Sequence, residues 1–477
     1  MADAVVSRAP GFVSRTAELS RLRELYRSNS AELAVVYGRR RLGKTELVSQ
    51  SLDGRADAVV YQARQKTRAL QIEQFLDRAA ESYPGVSRLR PDWEPILTYL
   101  GQNDAVVVLD EFPYLVAEDE SLPSVVQALF DREFDDAAPT FVLVGSSIST
   151  MEEAALLGSS PLYGRSSLKL DVRELPFGAA TEFLDDPTPT EAVFLWGVFG
   201  GVPYYLERLD PTASLAANVH DTVLSVHGTL HDEPDYVLRM ELKEPTRYFS
   251  ILEAIAGGNT GRNEVAGATG IEYNSLSTYL SRLERLRLIE RTVPVTERPE
   301  RSKRGRYRLR DSFFRFWFRF VYGAGGRNDE LGHEAFETLI RPELPDFVAP
   351  AFERLCRGAL RPLYPDLTVT ETGRWWYGEH EIDAVGLTAG DTLVVGECKF
   401  QSSPAGFDAL ESLRSHTAEL RWSPPDGGDR HVQYALFSRS GFTESLTTLA
   451  DERDDVRLFD IGDVVAAHAG TDPGPTA

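Results

Sequence analysis

Three runs of consecutive apolar residues, each followed by polar residues, mark the first third of the chain. They span residues 34–36, 105–109 and 141–144. An apolar run without alternation indicates a strand that is buried on both faces, as in a parallel sheet covered by helices. Amphipathic segments at 67–82 and 93–100 predict covering helices. This part of the chain is therefore predicted to be an α/β domain with a parallel sheet.

The pattern changes after residue 245, where helical segments replace the apolar runs. Two short helices are predicted at 247–255 and 263–270, and leucines on one stripe predict a longer helix at 273–286. A strand at 290–295 then opens a hairpin. Three helices followed by a hairpin is the order of a winged helix-turn-helix. Its last helix would present four side chains to a DNA groove, namely Asn274, Ser275, Thr278 and Arg282.

The last part of the chain predicts a second α/β region. A helix is expected at 350–360, and two strands are expected at 381–386 and 392–400 with a turn between them. The two strands are expected to pair as a hairpin.

Net charge changes how basic residues are interpreted. The 477-residue chain has 73 Asp and Glu against 51 Lys and Arg, a formal net charge of −22, and only six of its basic residues are lysine. A large acidic excess with little lysine is typical of adaptation to high salt, where screening is strong. The acidity therefore indicates a halophilic source rather than a cationic partner. Nucleic-acid binding has to be judged from local clusters of basic residues instead.

One such patch lies at residues 298–310, in the predicted wing. It holds seven basic residues and one acid. Basic residues concentrated in one segment of an acidic protein indicate contact with nucleic-acid phosphates. The candidates are Arg301, Lys303, Arg304 and Arg306. The alternative is that the winged helix is a protein-interaction module.

The cellular location is inferred from features that the sequence does not contain. Cys356 and Cys398 are its two cysteines, which suggests neither a disulfide scaffold nor a zinc site. No basic-then-apolar signal pattern opens the sequence, and no apolar run reaches the ~18 residues of a membrane span. We expect a cytoplasmic protein without membrane association.

The most specific chemistry lies at residues 38–45, which read G-x-x-x-x-G-K-T between a predicted strand and a predicted helix. Gly38 and Gly43 let the backbone curl around a phosphate chain, and the following helix adds the positive end of its dipole. Lys44 would reach the β- and γ-phosphates of ATP, and the Thr45 hydroxyl would bind Mg²⁺. A chance glycine-lysine loop is the alternative.

Polar residues at the ends of the next two apolar strands complete a nucleotide-hydrolysing site. Asp110 would hold the Mg²⁺ shell with Thr45, and Glu111 would orient or deprotonate the attacking water. Ser146 would sense the γ-phosphate or hold the water. The alternatives are a strand that ends in surface acids at 110–111 and an ordinary strand-to-turn Gly-Ser-Ser at 145–147. Arg165 could act as an arginine finger, or it could be an ordinary surface cation.

A second candidate site lies on the C-terminal hairpin. Side chains two apart on one strand point the same way, so Glu397 and Lys399 share a face that Asp383 can meet. Asp383 and Glu397 would clamp a divalent cation, with Glu353 from the preceding helix completing the site. Lys399 would orient a water or stabilise developing charge. The alternative is a set of surface charges without chemistry.

Taken together, these motifs resemble archaeal P-loop ATPases of the AAA+/STAND type that carry a winged helix and a C-terminal PD-(D/E)XK-nuclease-like domain. The resemblance rests on residues 38–45, Asp110-Glu111, Gly145-Ser146-Ser147, residues 161–165, residues 200–203, and Asp383 with Glu397-x-Lys399. It implies ATP binding and hydrolysis, with nucleic acid as the target. The expected fold is α/β, with a helical lid on the P-loop domain, then a winged helix-turn-helix and a PD-(D/E)XK-like α/β domain.

The expected domains are an ATPase core at 1–180, a helical lid at 181–240, a winged helix-turn-helix at 241–322, a linker at 323–345 and the nuclease-like domain at 346–477. Two functions stay open. The first couples ATP hydrolysis to the binding, and metal-dependent cleavage, of duplex DNA. The second is a nucleotide-switched signalling protein with an inactive nuclease-like scaffold. Assembly into a homo-oligomer is also left open.

Overall fold

The computed structural model describes residues 12–324 and 326–469. They form two compact units, the first ending at Leu175 and the second beginning at Pro176.

The first unit is built on a five-stranded sheet in which every described pair of neighbouring strands is parallel. Its strands are β1 Glu32–Tyr37, β2 Ala58–Gln62, β3 Val106–Asp110, β4 Thr140–Gly145 and β5 Leu168–Asp171. Their spatial order is β2-β3-β4-β1-β5. Strand β4 lies between β1 and β3, so the polar residues that follow these three strands meet at one edge.

Seven α-helices accompany this sheet in the described part of the first unit. They are α1 Thr16–Leu25, α2 Lys44–Ser51, α3 Arg68–Ser82, α4 Trp93–Gln102, α5 Phe112–Glu118, α6 Leu122–Arg132 and α7 Ile148–Met151. Strands β3 and β4 are buried along their whole length, because helices cover both faces of the sheet. The apolar runs therefore predicted the central strands correctly.

The second unit begins with short helices. They are α8 Phe177–Thr181, α9 Pro189–Phe199, α10 Pro203–Leu206, α11 Leu215–Val219 and α12 Glu233–Glu241. Gly200 separates α9 from α10 and adopts a φ of 65°, a conformation that favours glycine.

Three further helices and two strands follow, and we call them together the three-helix hairpin segment (residues 245–309). They are α13 Pro245–Ala256, α14 Arg262–Thr269, α15 Tyr273–Arg285, β6 Ile289–Thr292 and β7 Arg306–Leu309. Strands β6 and β7 pair antiparallel. The elements have the predicted order, but β6 ends at Thr292 rather than at Val295. Val295 instead donates its backbone N–H to the Arg374 carbonyl, at 2.8 Å.

The remaining elements are α16 Ser312–Phe320, α17 Arg327–Leu331, α18 Leu344–Leu363, β8 Val369–Tyr377, β9 His380–Thr388, β10 Thr392–Lys399, α19 Phe407–Glu419, β11 His431–Ser438, α20 Glu444–Asp451, β12 Val456–Asp460 and α21 Ile461–Ala466. Strands β8 to β12 form one mixed sheet in the order β12-β11-β10-β9-β8. The predicted β9–β10 hairpin pairs antiparallel, with Gly396 opposite Ala384.

The segment predicted as a linker, 323–345, contains helical turns at Arg327–Leu331 and Phe336–Ile340 and the start of α18; residue 325 lies outside the described residues. Helix α18 also begins six residues before the predicted start, so Pro350 lies inside it and not in its first turn. Pro345 takes the first-turn position, where the missing N–H costs no hydrogen bond.

Candidate functional site

The phosphate-binding loop follows β1 directly and ends at the start of α2. Gly38 has a φ of 150°, and a Cβ atom on it would lie 2.3 Å from the carbonyl oxygen of Val172. Gly43 precedes α2 with a φ of 78°. Both positions therefore require glycine, the first for space and conformation and the second for conformation. The spacing of Gly38 and Gly43, which predicted the loop, therefore reflects the backbone geometry that the loop requires.

Hydrogen bonds across the loop hold its curled shape. The Lys44 ammonium, with the residue 6% exposed, donates to the Arg39 carbonyl at 2.9 Å. The Arg15 guanidinium donates to the carbonyls of Leu42, at 3.1 Å, and Arg173, at 2.5 Å. Arg15 thus ties the loop to the chain that follows β5. This contact could not be predicted from the sequence, because Arg15 precedes α1 and lies far from residue 173 in the chain.

Thr45 and Asp110 are in direct contact. The Thr45 hydroxyl donates to Asp110 Oδ2 at 2.8 Å, and the Glu111 backbone N–H donates to Oδ1 at 2.8 Å. Burial raises the pKa of Asp110, against the lowering effect of the Thr45 hydrogen bond. A hydroxyl and a carboxylate at one point are hard oxygen ligands, which suit Mg²⁺. The two residues predicted to bind this ion therefore fit it.

The backbone of Glu111 adopts an unusual conformation. Its φ of 53° is left-handed, which is costly for a residue with a side chain and is concentrated at functional sites. The Ser146 hydroxyl, at the end of β4, donates to Glu111 Oε1 at 3.0 Å. Arg40 Nη1 lies 3.6 Å from the same oxygen. The structure thus brings Ser146 and Glu111 together, and it places one arginine of the loop beside them.

Arg165 makes a different set of contacts. Its guanidinium forms two hydrogen bonds of 2.8 Å with the Asp131 carboxylate and also donates to the carbonyls of Pro161 and Tyr163. Asp131 belongs to α6, outside the cluster formed by Thr45 and Asp110. The role of Arg165 as an arginine finger stays a prediction.

The C-terminal candidates converge where β9 and β10 pair. The Cys398 backbone N–H donates to Asp383 Oδ2 at 3.1 Å, and the Lys399 ammonium donates to Glu397 Oε1 at 2.7 Å. Burial and the Asp383 charge raise the pKa of Glu397. Burial lowers the pKa of Lys399, but the hydrogen bond to Glu397 together with the charges of Glu397, Asp383 and Asp408 outweighs this, and the net shift is upward. The acid and the base thus form a partly buried ion pair beside Asp383.

Two arginines that the sequence did not indicate enter this site. Arg374 Nη2, from β8, lies 3.3 Å from Glu353 Oε2 and 3.8 Å from Asp383 Oδ1. Arg357 donates to the Asp383 carbonyl at 2.8 Å and lies 3.7 Å from Glu353. Burial raises the pKa of Glu353, and Arg374 opposes that shift. Glu353 therefore contacts cations of the protein, and its role as a metal ligand stays a prediction.

The carboxylates of this site are not close enough to form a three-ligand metal group. Within residues 12–324 and 326–469, one group of three His, Cys, Asp or Glu side chains has ligand atoms within 4.8 Å of one another, and it consists of His220, Asp221 and His333. Arg374 Nη2 lies 3.3 Å from Glu353 Oε2 and 3.8 Å from Asp383 Oδ1, and it stands between these two acids. Metal binding by Asp383 and Glu397 stays a prediction.

The predicted nucleic-acid residues fall into two groups. Asn274, Ser275 and Thr278 on α15, and Arg301 and Lys303 in the wing, are exposed.

The other three make contacts within the protein. Arg282 donates to the Glu241 carbonyl at 3.4 Å. Arg304 pairs with Glu297 and donates to the Trp376 carbonyl at 2.9 Å, and Arg306 lies 3.7 Å from Glu381. The basic segment thus partly packs against β8, which contains Trp376.

The loop, the Thr45–Asp110 pair and the parallel sheet define the first unit as a P-loop ATPase core. Residues 12–209 match a family model described as an ATPase domain predominantly from Archaea, and residues 317–412 match one described as archaeal and bacterial proteins of unknown function. An uncharacterized protein of Methanocaldococcus jannaschii is 32% identical over 384 residues, which cover 80% of this chain and 85% of that protein. The chain belongs to this family of archaeal P-loop ATPases, which confirms the predicted resemblance.

Solved structures with partial similarity include a Walker-type ATPase of Pyrococcus abyssi, with a TM-score of 0.49 and 19% identity over 65% of this chain and 96% of that one. The ORC2 protein of Aeropyrum pernix, in its ADPNP-ADP complexes, has a TM-score of 0.42 and 15% identity over 65% of this chain and 95% of that one. Both similarities are low. No described helix is long and apolar enough to cross a membrane.

Proposed function

We propose that this ATPase couples its nucleotide state to the binding of duplex DNA and to metal-dependent cleavage of that DNA by its C-terminal domain. The observation that carries the proposal is the meeting of Asp383, Glu397 and Lys399 where β9 and β10 pair. Two acids and a lysine at one point can hold a divalent cation, orient a water and stabilise the charge that develops on a phosphodiester.

The proposed binding and hydrolysis of ATP rest on the residues of the phosphate-binding loop and of the strands beside it. Lys44 and the loop backbone would hold the phosphates of ATP, and Thr45 and Asp110 would hold Mg²⁺, which neutralises phosphate charge. Glu111 would orient or deprotonate the attacking water, with Ser146 fixing the Glu111 carboxylate. The exposed side chains of α15, with Arg301 and Lys303, would contact DNA.

A nuclease assay in high salt with Mg²⁺ or Mn²⁺, with and without ATP, tests this proposal. Asp383→Ala and Glu397→Ala should each lower cleavage about 100-fold or more, because each removes a ligand of the cation. Glu379→Ala, at an exposed acid in the turn between β8 and β9, should leave cleavage unchanged. Metal-dependent cleavage that survives Asp383→Ala would contradict the assignment.

Lys44→Ala should weaken ATP binding about 10-fold or more, because a charged hydrogen-bond donor to the phosphates is lost. Lys169→Ala, which removes an exposed lysine of β5, is the matched control. Loss of ATP-stimulated cleavage in Lys44→Ala would show that the two activities are coupled. Unchanged ATP affinity in that variant would refute the role of the loop.

A nucleotide-switched regulatory protein with a non-cutting C-terminal domain is the second candidate. Two observations favour it: Arg374 stands between Glu353 and Asp383, and Arg304 and Arg306 are engaged within the protein. Slow hydrolysis with nucleotide-dependent oligomerisation, and no cleavage under any metal condition, would select this function over the first.

A further inference from the structure

A cavity of about 600 Å³ lies inside the second unit. Its walls come from the three-helix hairpin segment, α16, α18 and β8. Five arginines line it: Arg308, Arg315, Arg354, Arg357 and Arg374. This is a high concentration of one sign of charge for a cavity in a protein of net charge −22.

Three of these arginines lie beside acids. Arg354 lies 3.5 Å from Glu290, Arg357 lies 3.7 Å from Glu353, and Arg374 lies 2.8 Å from Glu381, 3.3 Å from Glu353 and 3.8 Å from Asp383. In the part of the chain that the structure describes, Arg308 and Arg315 form no ion pair with an acid. Among the described residues, the buried Nε atoms of Arg308, Arg315 and Arg374 have no hydrogen-bond partner. Buried N–H donors are normally satisfied, so three guanidinium groups that each leave one donor unpaired are short of hydrogen-bond acceptors around this cavity.

The pKa shifts agree with this geometry. Burial, and then the nearby Arg374 charge, lowers the pKa of Arg308. Burial and the Arg354 charge lower the pKa of Arg315 to about 10. Arginines packed this way repel one another, and a bound anion would relieve that repulsion.

We propose that this cavity binds a small phosphate-bearing ligand of mononucleotide size. Guanidinium groups form paired hydrogen bonds with phosphate oxygens, which makes arginine the preferred residue for this recognition. The volume lies in the range of small-molecule sites, roughly 300–1,000 Å³, and is too small for a nucleic-acid duplex.

The rest of the lining suits a nucleoside. Ile255, Val293 and Leu309 supply apolar surface, and the Thr260 and Thr292 hydroxyls supply polar contacts. The cavity thus offers an apolar surface beside its charged groups, and a ligand that carries both a phosphate and a nucleoside would use both. The site is separate from residues 38–45, and its existence does not depend on the proposed cleavage reaction.

Calorimetric titration of the full chain tests the proposal. The Lys44→Ala variant serves as the parent, because it weakens binding at the phosphate-binding loop, and KCl is kept high and constant. The probes are AMP and inorganic pyrophosphate. We expect saturable binding at one site, weakened at least 10-fold by Arg308→Gln and by Arg315→Gln.

The matched control is Arg319→Gln. Arg319 lies one helical turn beyond Arg315 on α16, is 60% exposed and pairs with Glu343, so its loss should not change binding. Arg354→Gln, at a side chain that is 38% exposed, gives a second test if Arg315→Gln fails to fold. Tighter binding of AMP than of pyrophosphate assigns part of the cavity to a nucleoside, and equal binding restricts it to phosphates.

Thermal unfolding separates a binding role from a structural one. Arg308→Gln should raise the unfolding temperature of the ligand-free protein, because it removes a buried charge, and should abolish the stabilisation that AMP gives the parent. Absence of saturable binding of both probes to the parent would overturn the proposal. Equal affinity in the parent, Arg308→Gln and Arg354→Gln would also overturn it.

Discussion

The Asp110 carboxyl group is buried beside Thr45, and its charge therefore comes at a cost to stability. Burial raises the pKa of its carboxyl group, so folding favours the protonated form over the charged form. For a carboxyl group with a raised folded-state pKa, the stability contribution is present at low pH and is lost as pH rises through that pKa. At neutral pH the charge that would bind Mg²⁺ therefore destabilises the protein without ligands.

Asp110→Asn is predicted to stabilise the ligand-free protein and to lower ATP hydrolysis. An asparagine carries no charge, and its oxygen can still accept the Glu111 N–H. We expect the unfolding temperature to rise by about 2 °C, which corresponds to roughly 1 kcal/mol, and ATP hydrolysis to fall about 100-fold because a Mg²⁺ ligand is lost. Scanning calorimetry and a phosphate-release assay measure the two effects.

The pH dependence of the unfolding temperature tests whether the Asp110 charge causes this difference in stability. The difference in unfolding temperature between Asp110→Asn and wild type should shrink as pH falls, because Asp110 becomes protonated and then resembles asparagine. Asp53→Asn, at an exposed position in the same unit, should show neither effect. A lower unfolding temperature for Asp110→Asn at neutral pH would contradict the destabilising role of this charge.

At the scale of elements, the turn between β1 and α2 depends on a close approach of two backbones. Gly38→Ala is predicted to destabilise the first unit and to weaken ATP binding, because the new Cβ atom would lie 2.3 Å from the Val172 carbonyl oxygen. The loop would have to move away from the chain that follows β5. A loss of about 2–4 kcal/mol is expected, from the clash together with the left-handed backbone. Chemical denaturation and nucleotide titration measure the two effects.

Gly158→Ala is the matched control, since an added Cβ there meets nothing within 4 Å and its backbone has no positive φ. This substitution should change neither stability nor ATP affinity by more than a few tenths of a kcal/mol. Equal stability of the Gly38→Ala and Gly158→Ala proteins would show that the loop can relax around the added methyl group.

The elements also show what local sequence can and cannot predict. Strands β3 and β4 were predictable because their apolar runs are local, and the residues after them could be placed at one edge by topology alone. The start of α18 was misplaced because either Pro345 or Pro350 could open a helix, and only packing chooses between them. Arg374 was missed because its neighbours come from distant elements, α18 and β9.

The contacts of the basic wing, residues 298–310, likewise could not be predicted from local sequence. Its composition indicated contact with phosphates, and Arg301 and Lys303 remain exposed for that role. Arg304 and Arg306 instead meet Glu297, Glu381 and the Trp376 carbonyl. Charge along the sequence shows where cations are concentrated, but the partner of each cation depends on tertiary contacts.

At the scale of the whole molecule, the net charge of −22 sets how stability responds to salt. Self-repulsion of a highly charged protein destabilises the compact state, and dissolved ions screen it. The screening length falls from about 10 Å at 0.1 M salt to about 3 Å at 1 M. The apparent unfolding temperature is therefore predicted to rise by roughly 5 °C or more between 0.1 M and 1 M KCl.

Sucrose serves as the control that distinguishes charge screening by KCl from stabilisation by an excluded solute. It stabilises proteins by exclusion from their surface and does not screen charge. The gain with KCl should be steepest at low salt, where the screening length changes most, whereas the gain with sucrose should grow evenly with concentration. An unfolding temperature that stays flat or falls between 0.1 M and 1 M KCl would contradict the high-salt interpretation, and the acidic surface would then need another explanation, such as a cationic partner.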